Sequence, residues 1–127
     1  MTADEKVNSY RDLIVWQKGI ALVKAIYLLS QQFPADERFG LTSQMRRAAV
    51  SAPSNIAEGQ ARHSTREFIN FISHAEGSIA ELDTQLVLAV NLGFCRQAEA
   101  ETLFGEIDEM RRMLNGLRRR LQQKLSN

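Results

Sequence analysis

Apolar residues return along this chain at steps of three and four, and no segment alternates with period two. That spacing is the signature of amphipathic helices. Leu13, Trp16, Ile20, Val23 and Tyr27 form one stripe, and Leu22, Ile26, Leu29 and Phe33 an adjacent one. They predict a first helix over about 10–32 that touches two neighbours. Ser9 followed by Asp12 fits a capping box at its start, and Pro34 stops it. Leu41, Met45, Ala48, Ala52 and Ile56 make the apolar stripe of a second helix over about 38–60, which Glu37 already begins. Ser64-Thr65-Arg66-Glu67 is a second capping box. After it, Phe68, Ile72, Ala75, Ile79, Leu82, Leu86 and Ala89 predict a third helix over about 65–92, with Gly93 suited to a left-handed cap. Leu103, Ile107, Met110, Leu114, Leu117, Leu121 and Leu125 carry a fourth over about 97–124. Four such helices with short connections are an all-α, up-down-up-down antiparallel four-helix bundle. Residues 1–8 are read as a flexible N-terminus and 9–127 as a single domain.

The stretch Met45–Gly59, MRRAAVSAPSNIAEG, breaks the regularity because it carries Pro53. A proline there removes the hydrogen bond to the Ala49 carbonyl and costs about 3 kcal/mol, so the helix must be held by tertiary contacts. The apolar stripe faces the chain's own core. Arg47, Ser51, Ser54, Glu58 and Arg62 make a second, polar stripe, either solvated or packed on another subunit. Placing that stripe against sister molecules assigns them the support the proline needs. Gly59 reads either as a C-cap or as a point of close approach. Gly77, in mid-helix near Glu76, Ser78 and Glu81, permits close approach by another backbone.

Composition narrows the function more than it names it. The net charge of +1 predicts neither nucleic-acid nor membrane binding from bulk charge. A single cysteine, Cys95, excludes an internal disulfide and fits a reducing cytosol. No apolar run is long enough to span a membrane, and the acidic, polar N-terminus does not read as a signal peptide. Neither histidine has a Glu three residues before it, as a di-iron bundle requires. Glu67, His74 and Glu81 share a face, but Glu67 belongs to a cap and His74 reads as a polar interface or surface residue. Arg96 beside Cys95 would lower the thiol pKa slightly, yet no catalytic arrangement surrounds it. No enzyme, cofactor, metal or small-molecule substrate is expected.

Two basic groups stand out. Arg118, Arg119, Arg120 and Lys124 end the fourth helix, where they complement the helix dipole and would multiply in an assembly. Arg46, Arg47, Arg62 and Arg66 surround the second helix. No aromatic residues interleave with either group in sequence, so base stacking is not indicated.

Three segments carry a resemblance: LIVWQKGIALV, LTSQMRRAAVSAPSNIAEGQAR and EFINFISHAEGSIAELDTQL. They resemble the four-helix-bundle proteins encoded in intervening sequences of bacterial 23S rRNA genes, over roughly residues 10–125. The resemblance implies a four-helix bundle assembled as a ring-like homopentamer. A related branch accompanies the reverse transcriptases of diversity-generating retroelements, where a basic surface contacts nucleic acid and the enzyme. Arg47, Ser54, Asn55, Glu58, Gly59, Glu76, Ser78 and Glu81 match the motif positions and are the implied subunit-interface residues. Arg96 departs from the Ser or Thr cap more typical before the fourth helix, and Ala52 is smaller than the usual aliphatic residue before the proline. The expected function is a non-catalytic, cytoplasmic homo-oligomer, pentameric by resemblance. It would bind structured RNA or DNA through Arg46, Arg47, Arg62, Arg66, Arg118, Arg119, Arg120 and Lys124. The alternative is a protein-interaction module for a co-encoded partner without nucleic acid.

Overall fold

A computed structural model describes residues 9–126. The expected flexibility of residues 1–8 lies outside the described residues. Four helices are present: α1 (Ile14–Ser30), α2 (Leu41–Gln60), α3 (Thr65–Asn91) and α4 (Gln97–Ser126). Each packs on its sequence neighbour, and α1 closes the ring on α4, which is the antiparallel bundle expected. No strand occurs among the described residues.

The helix ends follow local chemistry, and two starts differ from expectation. The Ser9–Asp12 box forms, with Ser9 Oγ accepting from the Arg11 N–H at 3.1 Å and Asp12 Oδ2 from the Ser9 N–H at 3.4 Å. It caps a 3₁₀ turn, Tyr10–Asp12, rather than α1. Leu13 is extended, so α1 begins at Ile14 and not at residue 10, while Tyr10 packs on Trp16 with ring centroids 5.4 Å apart. Glu37 likewise sits in a 3₁₀ turn, Ala35–Glu37, and not in α2. Its Oε1 accepts from the Leu41 N–H at 3.0 Å and so caps α2 from outside. Ser64 caps α3 as expected, its hydroxyl accepting from the Glu67 N–H at 3.1 Å. At the other end of α3, Gly93 has φ +77°. Its N–H donates to the Val90 carbonyl and the Phe94 N–H to that of Ala89, a Schellman motif. Before α4, where a Ser or Thr is missing, Glu99 supplies the cap by accepting from the Arg96 N–H at 3.0 Å.

The core is made by one face of each helix. Met45, Ala48, Ala52 and Ile56 of α2 are buried, as are Ile72, Ala75, Ile79, Leu82, Leu86 and Ala89 of α3. Leu103, Ile107, Met110, Leu114 and Leu121 of α4 join them, with Leu117 only part-buried and Leu125 exposed. In α1 the buried register is Val15, Gly19, Leu22, Ile26 and Leu29. The other stripe expected there stays at the margin: Ile20 and Tyr27 are 45% and 41% exposed. Leu13, Trp16 and Val23 of that stripe pack part-buried against the core, so Ile20 and Tyr27 are its open positions.

Pro53 is buried within the chain itself. A Cβ on Gly19 of α1 would lie 3.2 Å from the Pro53 Cβ, so the bare glycine lets the pyrrolidine ring seat against α1. Gly59 plays the same part toward α3. It is buried inside α2 rather than at a C-cap, and an added Cβ would meet the Phe71 Cβ at 2.7 Å and Phe68 Cδ1 at 3.0 Å. Nothing lies within 4 Å of a Cβ built on Gly77.

These two glycines give opposite expectations. Gly59→Ala forces α2 and α3 apart and should destabilise the bundle by about 1–3 kcal/mol. Gly77→Ala meets no neighbour, removes backbone freedom from the unfolded chain, and should stabilise α3 by about 0.5–1 kcal/mol. Urea unfolding followed by circular dichroism reads both; equal effects of one sign would refute the packing described.

A second expectation concerns acid. The Arg96 backbone N–H first, then the Gln32 amide, holds the Glu99 carboxyl below its ordinary value. Its stabilising contribution is therefore complete above the unfolded glutamate pKa and is lost as pH falls through the lower folded value. Glu99→Gln should lower the thermal midpoint at neutral pH and leave it nearly unchanged once the carboxyl is protonated. The same loss at both pH values would show that ionisation is not the cause.

Candidate subunit and nucleic-acid surfaces

The residues singled out from the sequence divide into an inward and an outward set. Ser78 is buried at the α2–α3 contact, and its Oγ lies 2.8 Å from Ser51 Oγ. Ser78 also donates to the His74 carbonyl at 3.1 Å, which uses its single hydroxyl proton. Ser51 must then donate to Ser78, while Asn55 Nδ2 donates to Ser51 Oγ at 3.0 Å and to the Ser51 carbonyl at 2.8 Å. The bonds run in one direction, from the Asn55 amide through two hydroxyls to a backbone oxygen. Ser51 belongs to the polar stripe of α2 but not to the expected interface residues. The signal that could have found it is its position one helical turn before Asn55.

Gly59 and Glu76 are also committed within the chain. Arg118 Nε donates to Glu76 Oε1 at 2.9 Å and its Nη2 to Asn115 Oδ1 at 2.7 Å, which ties α4 to α3. Both members of the pair are less than a third exposed. Arg118 therefore leaves the free basic group at the end of α4, where Arg119, Arg120 and Lys124 remain exposed. Arg120 and Lys124 line one open cavity there together with Leu117 and Leu121.

Ser54, Glu58, Glu81 and Arg47 point outward, and Asn55 is half-buried beside them. Glu58 pairs with Arg62 at 2.7 Å, one turn along α2. Arg47 and Glu81 line one cavity between α2 and α3 yet form no ion pair with each other. Arg66 is exposed in the first turn of α3.

The bundle places aromatic rings under three arginines, a juxtaposition that sequence order does not show. The Arg46 guanidinium lies 4.5 Å from the Tyr27 ring centroid, Arg38 4.8 Å from that of Phe39, and Arg62 4.9 Å from that of Phe71. Arg46 is further held by Ser30 Oγ at 2.9 Å and the Tyr27 carbonyl at 3.4 Å.

A model of the 23S rRNA-intervening sequence protein family matches residues 11–116, from before α1 to within α4. The chain belongs to this family. A comparison with curated proteins found no match. The residues expected at the subunit interface are thus split by the fold. Gly59, Glu76 and Ser78 fasten α2, α3 and α4 to one another, whereas Arg47, Ser54, Glu58 and Glu81 remain on the outside.

The other chemistry weighed from sequence stays dispersed. Glu67, His74 and Glu81 are all exposed, and no three carboxylate, imidazole or thiol groups converge among the described residues. Cys95 is buried; its burial, and next the Glu99 carboxylate, push the thiol pKa up, against the lowering expected from Arg96. No helix among the described residues is long and apolar enough to cross a membrane.

The hydroxyl relay has a measurable signature. Ser78→Ala leaves the Ser51 hydroxyl without its acceptor and should cost about 1–2 kcal/mol. Ser51→Ala with Ser78→Ala should cost less than the two single changes added, because the second removes a group the first has already orphaned. Strict additivity in urea unfolding would show that the two hydroxyls do not act together.

Proposed function

We propose that this member of the intervening-sequence family is a non-catalytic, cytoplasmic protein that works as a homo-oligomer and presents its basic surfaces to nucleic acid. The observation that carries the reading is the outer face of α2 and α3. Arg47 and Glu81 face one cavity unpaired, flanked by exposed Ser54 and Glu58. A neighbouring copy can pair with each. Two exposed apolar positions on α1 support the same reading, since Ile20 and Leu28 remain 45% and 58% exposed. The resemblance to ring-like family members makes five the expected number of subunits. In such an assembly Arg119, Arg120 and Lys124 would recur around the ring, and a chain of nearly neutral total charge would present a concentrated basic surface.

Light scattering behind size-exclusion chromatography at tens of micromolar should give about five times the mass of one chain. Glu81→Arg sets two cations on the Arg47 cavity and should shift the mass toward the single chain while the helical circular dichroism persists. A wild-type mass equal to one chain would overturn the oligomeric reading.

A further inference from the structure

The connection from α1 to α2 brings Arg38 to an open cavity of about 540 Å³ that Arg46 and Arg47 also line. The hydroxyls of Tyr27, Thr42, Ser43 and Ser51 share the lining, that of Ser51 already donating to Ser78, and no carboxylate does. Glu37 caps the Leu41 N–H, and Glu81 lines the smaller cavity that also borders Arg47. Planar guanidinium forks and hydroxyl donors without a competing carboxylate are the chemistry of a phosphate site.

One of the forks is already fixed in place. Arg46 lies over the Tyr27 ring and donates to Ser30 Oγ and the Tyr27 carbonyl, which leaves its other N–H donors for a ligand. The side-chain entropy a ligand would otherwise have to overcome is thereby largely spent in folding. Beside this cavity stands Phe39, 84% exposed, with the Arg38 guanidinium 4.8 Å from its ring centroid. A phenyl ring left in water next to a cluster of cations is a platform on which a base can stack.

We propose that this cavity binds a nucleotide unit, with its phosphate on Arg38, Arg46 and Arg47 and its base on Phe39. A single-stranded nucleic acid and a free nucleotide share this chemistry. The polymer as the source rests on the function proposed above; the phosphate-and-base site does not. Three cations exceed the single charge of one backbone phosphodiester, so the cavity suits consecutive phosphates of a strand.

Fluorescence anisotropy with a labelled twelve-residue oligothymidylate, and separately with a labelled adenosine triphosphate, tests the site on the full chain. Phe39→Ala should weaken oligonucleotide binding about fivefold or more. Arg38→Glu should weaken it about tenfold or more, and should also flatten the slope of log K against log salt by about 0.7 for each phosphate the protein no longer neutralises. Arg119→Glu with Arg120→Glu, far along α4, should change it less than about twofold. Phe39 and Arg38 are surface residues, so these variants should keep the wild-type helical circular dichroism, and Arg38→Lys adds a step that keeps the charge but loses the fork. Unchanged binding in both cavity variants would overturn the site. Loss confined to the α4 variant would overturn it too and leave the nucleic-acid reading standing. Binding of the triphosphate alone, sensitive to the cavity variants, would uphold the site and remove the polymer reading. No binding of either probe by the wild type would overturn both.

Discussion

The structure depends on α2 being a thin helix. Its inward positions are Ala48, Ala49, Ala52, Pro53 and Gly59, with Met45 and Ile56 as the larger side chains. Small residues let two neighbours come close. Gly19 of α1 accommodates the Pro53 ring, and Gly59 accommodates Phe68 and Phe71 of α3. Close approach offsets what the proline costs, because packing along both sides of α2 replaces the one backbone hydrogen bond that the ring removes.

That same closeness arranges the polar groups. Ser51 and Ser78 can share a 2.8 Å hydrogen bond only because the α2 and α3 backbones are near each other. A bond between short side chains tolerates little separation, so the relay from Asn55 to His74 sets how α2 sits along α3 as well as its distance. On the far side of α2, the approach of α1 sets Arg46 over Tyr27 and opens the arginine-lined cavity. The basic surface is therefore a by-product of packing: cations on α2 and its preceding turn meet the end of α1.

Much of the fold was legible in the sequence because its determinants are local. Stripes at steps of three and four mark the buried faces of α2, α3 and α4, and Ser64 and Gly93 mark ends through hydrogen bonds to residues a few positions away. The misread starts of α1 and α2 have a shared cause. Ser9–Asp12 carries a capping box and Ala35–Glu37 follows a proline with acidic residues, yet each forms a single 3₁₀ turn, and such local signals do not state which kind of turn they start. In α1 two apolar stripes compete, and periodicity alone does not choose between them.

The sequence by itself determined four helices, their order and most of their buried faces, since period and caps act within a turn or two of chain. Only the tertiary structure decided the work of the polar residues. Ser78 meets Ser51 across 27 positions, Arg118 meets Glu76 across 42, and Arg46 reaches the Tyr27 carbonyl across 19. Such pairs depend on how far each helix slides along its neighbour. That register is fixed by where a glycine admits a ring, a contact between side chains far apart in the chain.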